Sequence, residues 1–186
     1  MTVAKEHLCF AACVEVAAKQ LGAHLDQVGI ANQLGVTVPS EFDASALISH
    51  GVDGVAIDPE PRKWGIEPDA EKLDNFFARE RIPLSVVFHP ISQFQDWGFE
   101  AQIVELTRQG QLPIVGFDYR ALFKDPVRGE QGHCCVIFEC SDAVRLYDPG
   151  PYRAGFKTVD MFDLYRACRK KPGGLWVLHP KNRPPD

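Results

Sequence analysis

The 186-residue chain is 45% apolar and 24% charged, a balance that suits a globular protein and excludes a disordered or collagen-like one. A net charge of -5 leaves no basic footprint for nucleic acid, and no run approaches the ~18 apolar residues of a membrane span. The length predicts one domain over 1–186, with residues 180–186 as a frayed proline-rich tail.

The first legible element opens near Cys9. Ala11, Ala12, Ala17 and Ala18 are strong helix formers, Cys13, Val16, Ala17 and Gln20 recur at near-helical spacing, and Gly22 supplies a stop. A thiol at a helix N-terminus meets free backbone N–H groups and the positive end of the helix dipole, so Cys9 is a candidate nucleophile. The competing reading makes Cys9 and Cys13 small apolar fillers.

A short second helix is expected over residues 24–35. Residues 36–68 are turn-rich, with only residues 44–50 periodic, and suit a binding rim. Pro68 and Asp69 open a helix that runs to Arg81, and Leu84 to Phe88 is a strand stopped by His89 and Pro90. Another helix spans Phe99 to Gln109, and a strand spans Leu112 to Tyr119, followed by a polar loop. Residues 133–140 and 144–148 form the clearest hairpin. The last helix is expected at Thr158 to Arg169 with Thr158 as its cap, and Gly173 to Leu178 closes the sheet. Helices first and antiparallel strands last is the α+β pattern.

The hairpin permits a geometric test. With Ser141 and Asp142 as a two-residue turn, Cys135 faces Asp148, and His133 lies diagonally from Asp148 on the same face. Diagonal neighbours are ~7 to 8 Å apart, within reach of an imidazole and a carboxylate. A three-residue turn would place Asp148 on the opposite face. Cys9, His133 and Asp148 would then be nucleophile, base and orienting residue. As alternatives, His133 caps a strand, and Asp148, Pro149 and Gly150 form a plain turn.

Six irregularly spaced cysteines, with Cys134 next to Cys135, do not resemble a disulfide framework, so a reducing compartment, the cytoplasm, is expected. The N-terminal residues lack the apolar core of a secretory signal. No Cys-x-x-Cys pair is present, so neither a metal nor any other cofactor is expected. His24, His50, His89 and His179 are read as surface or satisfied structural residues. Trp64, Trp97 and Trp176 are read as core or rim aromatics, and Lys170 with Lys171 as a solvated helix end.

Taken in order, a cysteine opening the first long helix, an apolar strand running out from Gly132 and His133, and the Asp148-Pro149 turn resemble papain-like cysteine peptidases. The nearest likeness is to the bacterial bacteriocin-processing peptidases, which trim double-glycine leaders, and to their free-standing relatives. The resemblance implies a papain-like α+β fold, with an N-terminal helical part packed on an antiparallel sheet and the site between them. It also implies a thiol protease acting on a peptide or protein substrate, with Cys9 as nucleophile, His133 as general base and acid, and Asp148 as orienting residue. Val3 and Ala4 stand where that family usually carries an oxyanion glutamine, and Phe10 stands where it carries glycine. His7 and Gln131 are the candidate replacement donors. Loss of one such donor typically costs ~10²- to 10³-fold in rate. A thiol acyltransferase and an inactive peptide-binding module are the alternative functions; the sequence does not define the oligomeric state.

Overall fold

The computed structural model describes residues 2–60, 64–124, 132–152, 154–171 and 173–181. Helix α1 spans Cys9–Gln20, and its alanines bring it close to the sheet, burying Phe10, Ala11, Ala12, Cys13, Val14, Ala17 and Ala18. The buried face is therefore broader than the expected stripe: Val16 is half-buried and Gln20 exposed. Helix α2 (Gln27–Leu34) is shorter than expected because Asp26 caps it, its carboxylate accepting from the N–H groups of Val28 and Gly29.

The expected rim region contains more order than its sequence suggests. Strands β1 (Thr37–Val38) and β2 (Ala56–Ile57) pair in parallel around helix α3 (Ser45–Ser49). Two-residue strands are too short to show a period, so only α3 was legible. Helix α4 (Ala70–Arg79) is capped by Asp69 and buries Leu73, Phe76 and Phe77.

Strand β3 (Leu84–Pro90) runs through His89 and Pro90 instead of stopping before them. Among the described residues it is an edge strand paired with the last strand alone, where a proline costs no interior ladder bond. Helix α5 (Asp96–Arg108) begins before the expected Phe99, and strand β4 (Ile114–Asp118) is entirely buried. Part of the expected polar loop is a helical turn, α6 (Tyr119–Phe123), because the Asp118 side chain accepts from the Ala121 N–H at 2.6 Å.

Strands β5 (Gly132–Cys140) and β6 (Val144–Asp148) form the expected hairpin with a different turn. Cys140 pairs with Val144, so the loop has three residues, Ser141, Asp142 and Ala143, not two. A β-bulge between Ile137 and Glu139 takes up the extra residue, and Val136 pairs with Tyr147. The bulge thus restores the facing of Cys135 and Asp148 that a three-residue turn alone would have destroyed.

Strand β7 (Gly155–Val159) replaces the expected start of the last helix. Thr158 lies in that strand, and Asp160 caps α7 (Met161–Lys170), accepting from the N–H groups of Phe162 and Asp163. Thr158 is β-branched and suits a strand, and Asp160 is at least as good a cap. Strand β8 (Gly174–Pro180) completes an antiparallel sheet in the order β3-β8-β4-β5-β6-β7. The expected tail is ordered through Lys181, whose N–H donates to the Pro83 carbonyl; residues 182–186 lie outside the described residues.

Alternating side chains of the central strands feed two apolar clusters. Ile114, Cys134 and Trp176 face α1, α2 and α4, and Val115, Cys135 and Leu175 face α5 and α7. Burial on both faces explains why these strands read as unbroken apolar runs.

Candidate active site

Cys9 is the first residue of α1. Leu8 before it is the N-cap and provides no side-chain hydrogen bond, so among the described residues no side-chain cap covers the first-turn N–H groups. The approach to the helix is fixed by a strap of residues 2–5. The Ala4 N–H donates to the Pro149 carbonyl at 2.7 Å, and the Tyr147 hydroxyl donates to the Thr2 carbonyl at 2.8 Å. Both ends of the buried Gln27 amide are used there: Nε2 donates to the Val3 carbonyl at 3.0 Å, and Oε1 accepts from the Lys5 N–H at 2.9 Å. One strap thereby ties the entry of α1 to the Asp148-Pro149 turn.

His133 follows the first residue of β5, and Asp148 ends β6. Nε2–H of His133 donates to Asp148 Oδ1 at 2.7 Å, with 11% of the His133 side chain exposed and 2% of Asp148. The same oxygen accepts from the Gly150 N–H at 2.8 Å. A Cβ on Gly150 would stand 2.9 Å from that oxygen and 3.5 Å from the imidazole, so the turn needs glycine there. Edges of Phe117 and Tyr119 hold the imidazole, at centroid separations of 5.8 and 5.1 Å. With Nε2 committed, Nδ1 is the ring nitrogen left to serve a thiol.

Lys157 was not among the expected site residues. Its ammonium pairs with Asp148 Oδ2 and lies over the Phe123 ring at 4.8 Å. Gly155 faces Asp148 across the ladder, so Lys157, two residues on, lies diagonally from it on the same face. The alternation from Gly155 to Val159 is the signal for it in the sequence, and Thr158, which also suits a helix cap, masks that signal.

The electrostatics favour a charged pair. Hydrogen bonding to the Cys134 thiol, aided by His133 and opposed by burial, holds the Cys9 thiol well below its usual range. Burial alone would depress His133, but Asp148, Cys135 and Cys9 together lift it well above the usual imidazole value. Burial likewise opposes ionisation of Asp148 and is overcome by His133, Lys157 and the Gly150 N–H, so its carboxyl stays far below the ordinary range. Burial raises Cys13 and Cys168, which are fully buried, as expected of apolar fillers.

A cavity of about 80 Å³ joins Cys9, His133 and Cys134, walled by Trp64 and Trp176 and edged by Lys171. Lys171 is therefore half-buried at the cavity edge and not simply a solvated helix end. Phe10 lies beneath this wall, 1% exposed, with its ring edge-to-face with Trp176 at 5.5 Å. His7 has a left-handed backbone (φ 62°), its ring stands on Phe42 at 4.6 Å, and it is not among the residues that line the cavity. Gln131 lies outside the described residues.

Among the described residues, His133, Cys135 and Asp148 are the group whose ligand atoms, all within 4.8 Å of one another, could share a metal ion. They do not fit that role as arranged: Asp148 already holds the Lys157 ammonium, and burial raises the Cys135 thiol, disfavouring the thiolate a metal needs.

No family model and no curated protein matches the sequence. Among solved structures, one titled a "putative C39-like peptidase" from Bacillus anthracis matches with a TM-score of 0.55. The match covers 95% of this chain and 91% of that one at 13% identity. The chain shares the fold of that structure. The α+β arrangement expected from the sequence, helices packed on an antiparallel sheet, is the one found. Among the described residues no helix is long and apolar enough to cross a membrane.

Proposed function

We propose that this protein is a thiol-dependent hydrolase, a cysteine peptidase or amidase, with Cys9 as nucleophile, His133 as base and acid, and Asp148 as orienting residue. The observation that carries the reading is the 2.7 Å bond from His133 Nε2 to Asp148, which frees Nδ1 while the ring borders the same cavity as Cys9. The fold shared with a C39-like peptidase supports a peptide substrate. Six free thiols support a reducing, cytoplasmic setting.

In the first step the Cys9 thiolate attacks the carbonyl carbon, and the π electrons move to oxygen. First-turn N–H groups of α1, left without a side-chain cap, are the donors for that oxyanion. Collapse breaks the C–N bond as the His133 imidazolium protonates the departing amine, leaving a thioester. Water, deprotonated by the now neutral His133, then releases the acid and regenerates the thiolate. Stoichiometric alkylation of Cys9 by iodoacetamide near pH 6, lost in His133→Ala, is the expected result. Labelling as slow as that of an ordinary thiol would sink the assignment.

A further inference from the structure

The cavity beside Cys9 has a charge pattern that the reaction alone does not require. Lys171 follows the end of α7 and crosses to the start of β5, where its stem and ammonium lie against the α-carbon of Gly132. A Cβ at Gly132 would collide with Lys171 Nζ, and would stand 2.6 Å from Cε and 2.9 Å from Cδ. The absence of a side chain at Gly132 therefore makes the seat for this lysine, one residue before His133. Among the described residues no carboxylate pairs with Lys171, and none lines the cavity. Over the whole chain acids exceed bases, 25 to 20. The remaining wall is largely apolar, with Trp64, Ile66 and Trp176.

We infer that Lys171 is a specificity residue that selects substrates bearing a carboxylate close to the scissile bond, on an acidic side chain or a chain terminus. This inference rests on the thiol-hydrolase reading and narrows its substrate class. An ammonium held on a half-buried stem beside apolar walls attracts a carboxylate more strongly than a fully solvated lysine does. The attraction adds to substrate binding and does not enter the bond-making steps.

Alkylation of the full-length protein tests this without a known substrate. The probes are iodoacetate and iodoacetamide, which differ by one carboxylate, and the readout is the ratio of their rates at Cys9. The ratio is expected to fall about tenfold in Lys171→Gln, to persist in Lys171→Arg, and to shrink as salt rises. The contribution of the His133 charge is common to all three proteins and cancels in the comparison. An unchanged ratio in Lys171→Gln, with Cys9 still reactive, overturns the inference and leaves the hydrolase standing. An unreactive Cys9 in the parent protein overturns both. Matched peptides then separate the two carboxylate sources, Glu against Gln beside the cleaved bond and a free C-terminus against an amide. Equal turnover within both pairs would also refute the inference.

Discussion

Three groups converge on the buried Asp148 side chain: His133 and Gly150 on Oδ1, and Lys157 on Oδ2. Asp148→Asn keeps the shape but leaves the Lys157 ammonium without its counter-charge. Breaking a buried pair costs about 3–5 kcal/mol, and because Lys157 is 22% exposed the expected loss is nearer ~2–3 kcal/mol in denaturant titrations. The amide also disturbs the imidazole's tautomer, so hydrolysis should fall about 10²- to 10⁴-fold even where the variant is folded. A pH titration separates the two partners. His133 is raised when folded, so its stabilisation is complete below the unfolded value of about 6.5 and is lost as pH rises through the folded value. Asp148 is depressed, so its share is complete above about 3.9 and is lost as pH falls toward its folded value. In Cys9→Ala, where that thiol no longer titrates, stability should decline from pH 6 to about pH 8, below the range in which the other buried thiols contribute. The added substitution His133→Ala should flatten that decline, and an equal decline in both proteins would remove His133 as its source.

At the scale of elements, Phe10 helps seat on the sheet the end of α1 that presents Cys9, its ring packed edge-to-face on Trp176. Phe10→Ala should cost about 3–5 kcal/mol, read as a lower denaturant midpoint, and should slow Cys9 alkylation toward that of an ordinary thiol as the helix end loosens. Loss of stability with full thiol reactivity would separate Phe10 from the site. The sequence made α1, α4, α5 and the hairpin legible because each has a clear apolar period or a cap, as with Asp69 before α4. It hid elements whose existence depends on partners. Strand β7 needs the free edge of β6, and β1 and β2 need each other. The facing of Cys135 and Asp148 was anticipated from a two-residue turn, but it arises from a three-residue loop and a bulge. A bulge is a tertiary adjustment with no sequence period to mark it. Cys9, His133 and Asp148 could be singled out because their residue types are chemically restrictive. Lys157 and Lys171 could not, since a lysine reads as solvated surface until its neighbours are known.

Across the whole molecule, two apolar clusters lie on opposite faces of one sheet, and the same central strands supply both. Ile114 and Val115 on β4 point to opposite sides, as do Cys134 and Cys135 on β5 and Leu175 and Trp176 on β8. Neither cluster can dissolve without stripping one face of strands that the other still uses. We therefore propose that the chain folds as one cooperative unit, and two cysteines allow that to be checked site by site. Cys13 lies in the cluster against α1 and Cys168 in the cluster against α7, and both are fully buried. Pulse alkylation across a guanidinium titration should expose the two thiols at the same denaturant concentration, coincident with the loss of far-ultraviolet dichroism. If Cys168 became reactive while Cys13 stayed protected, or the reverse, the two faces would be separable units.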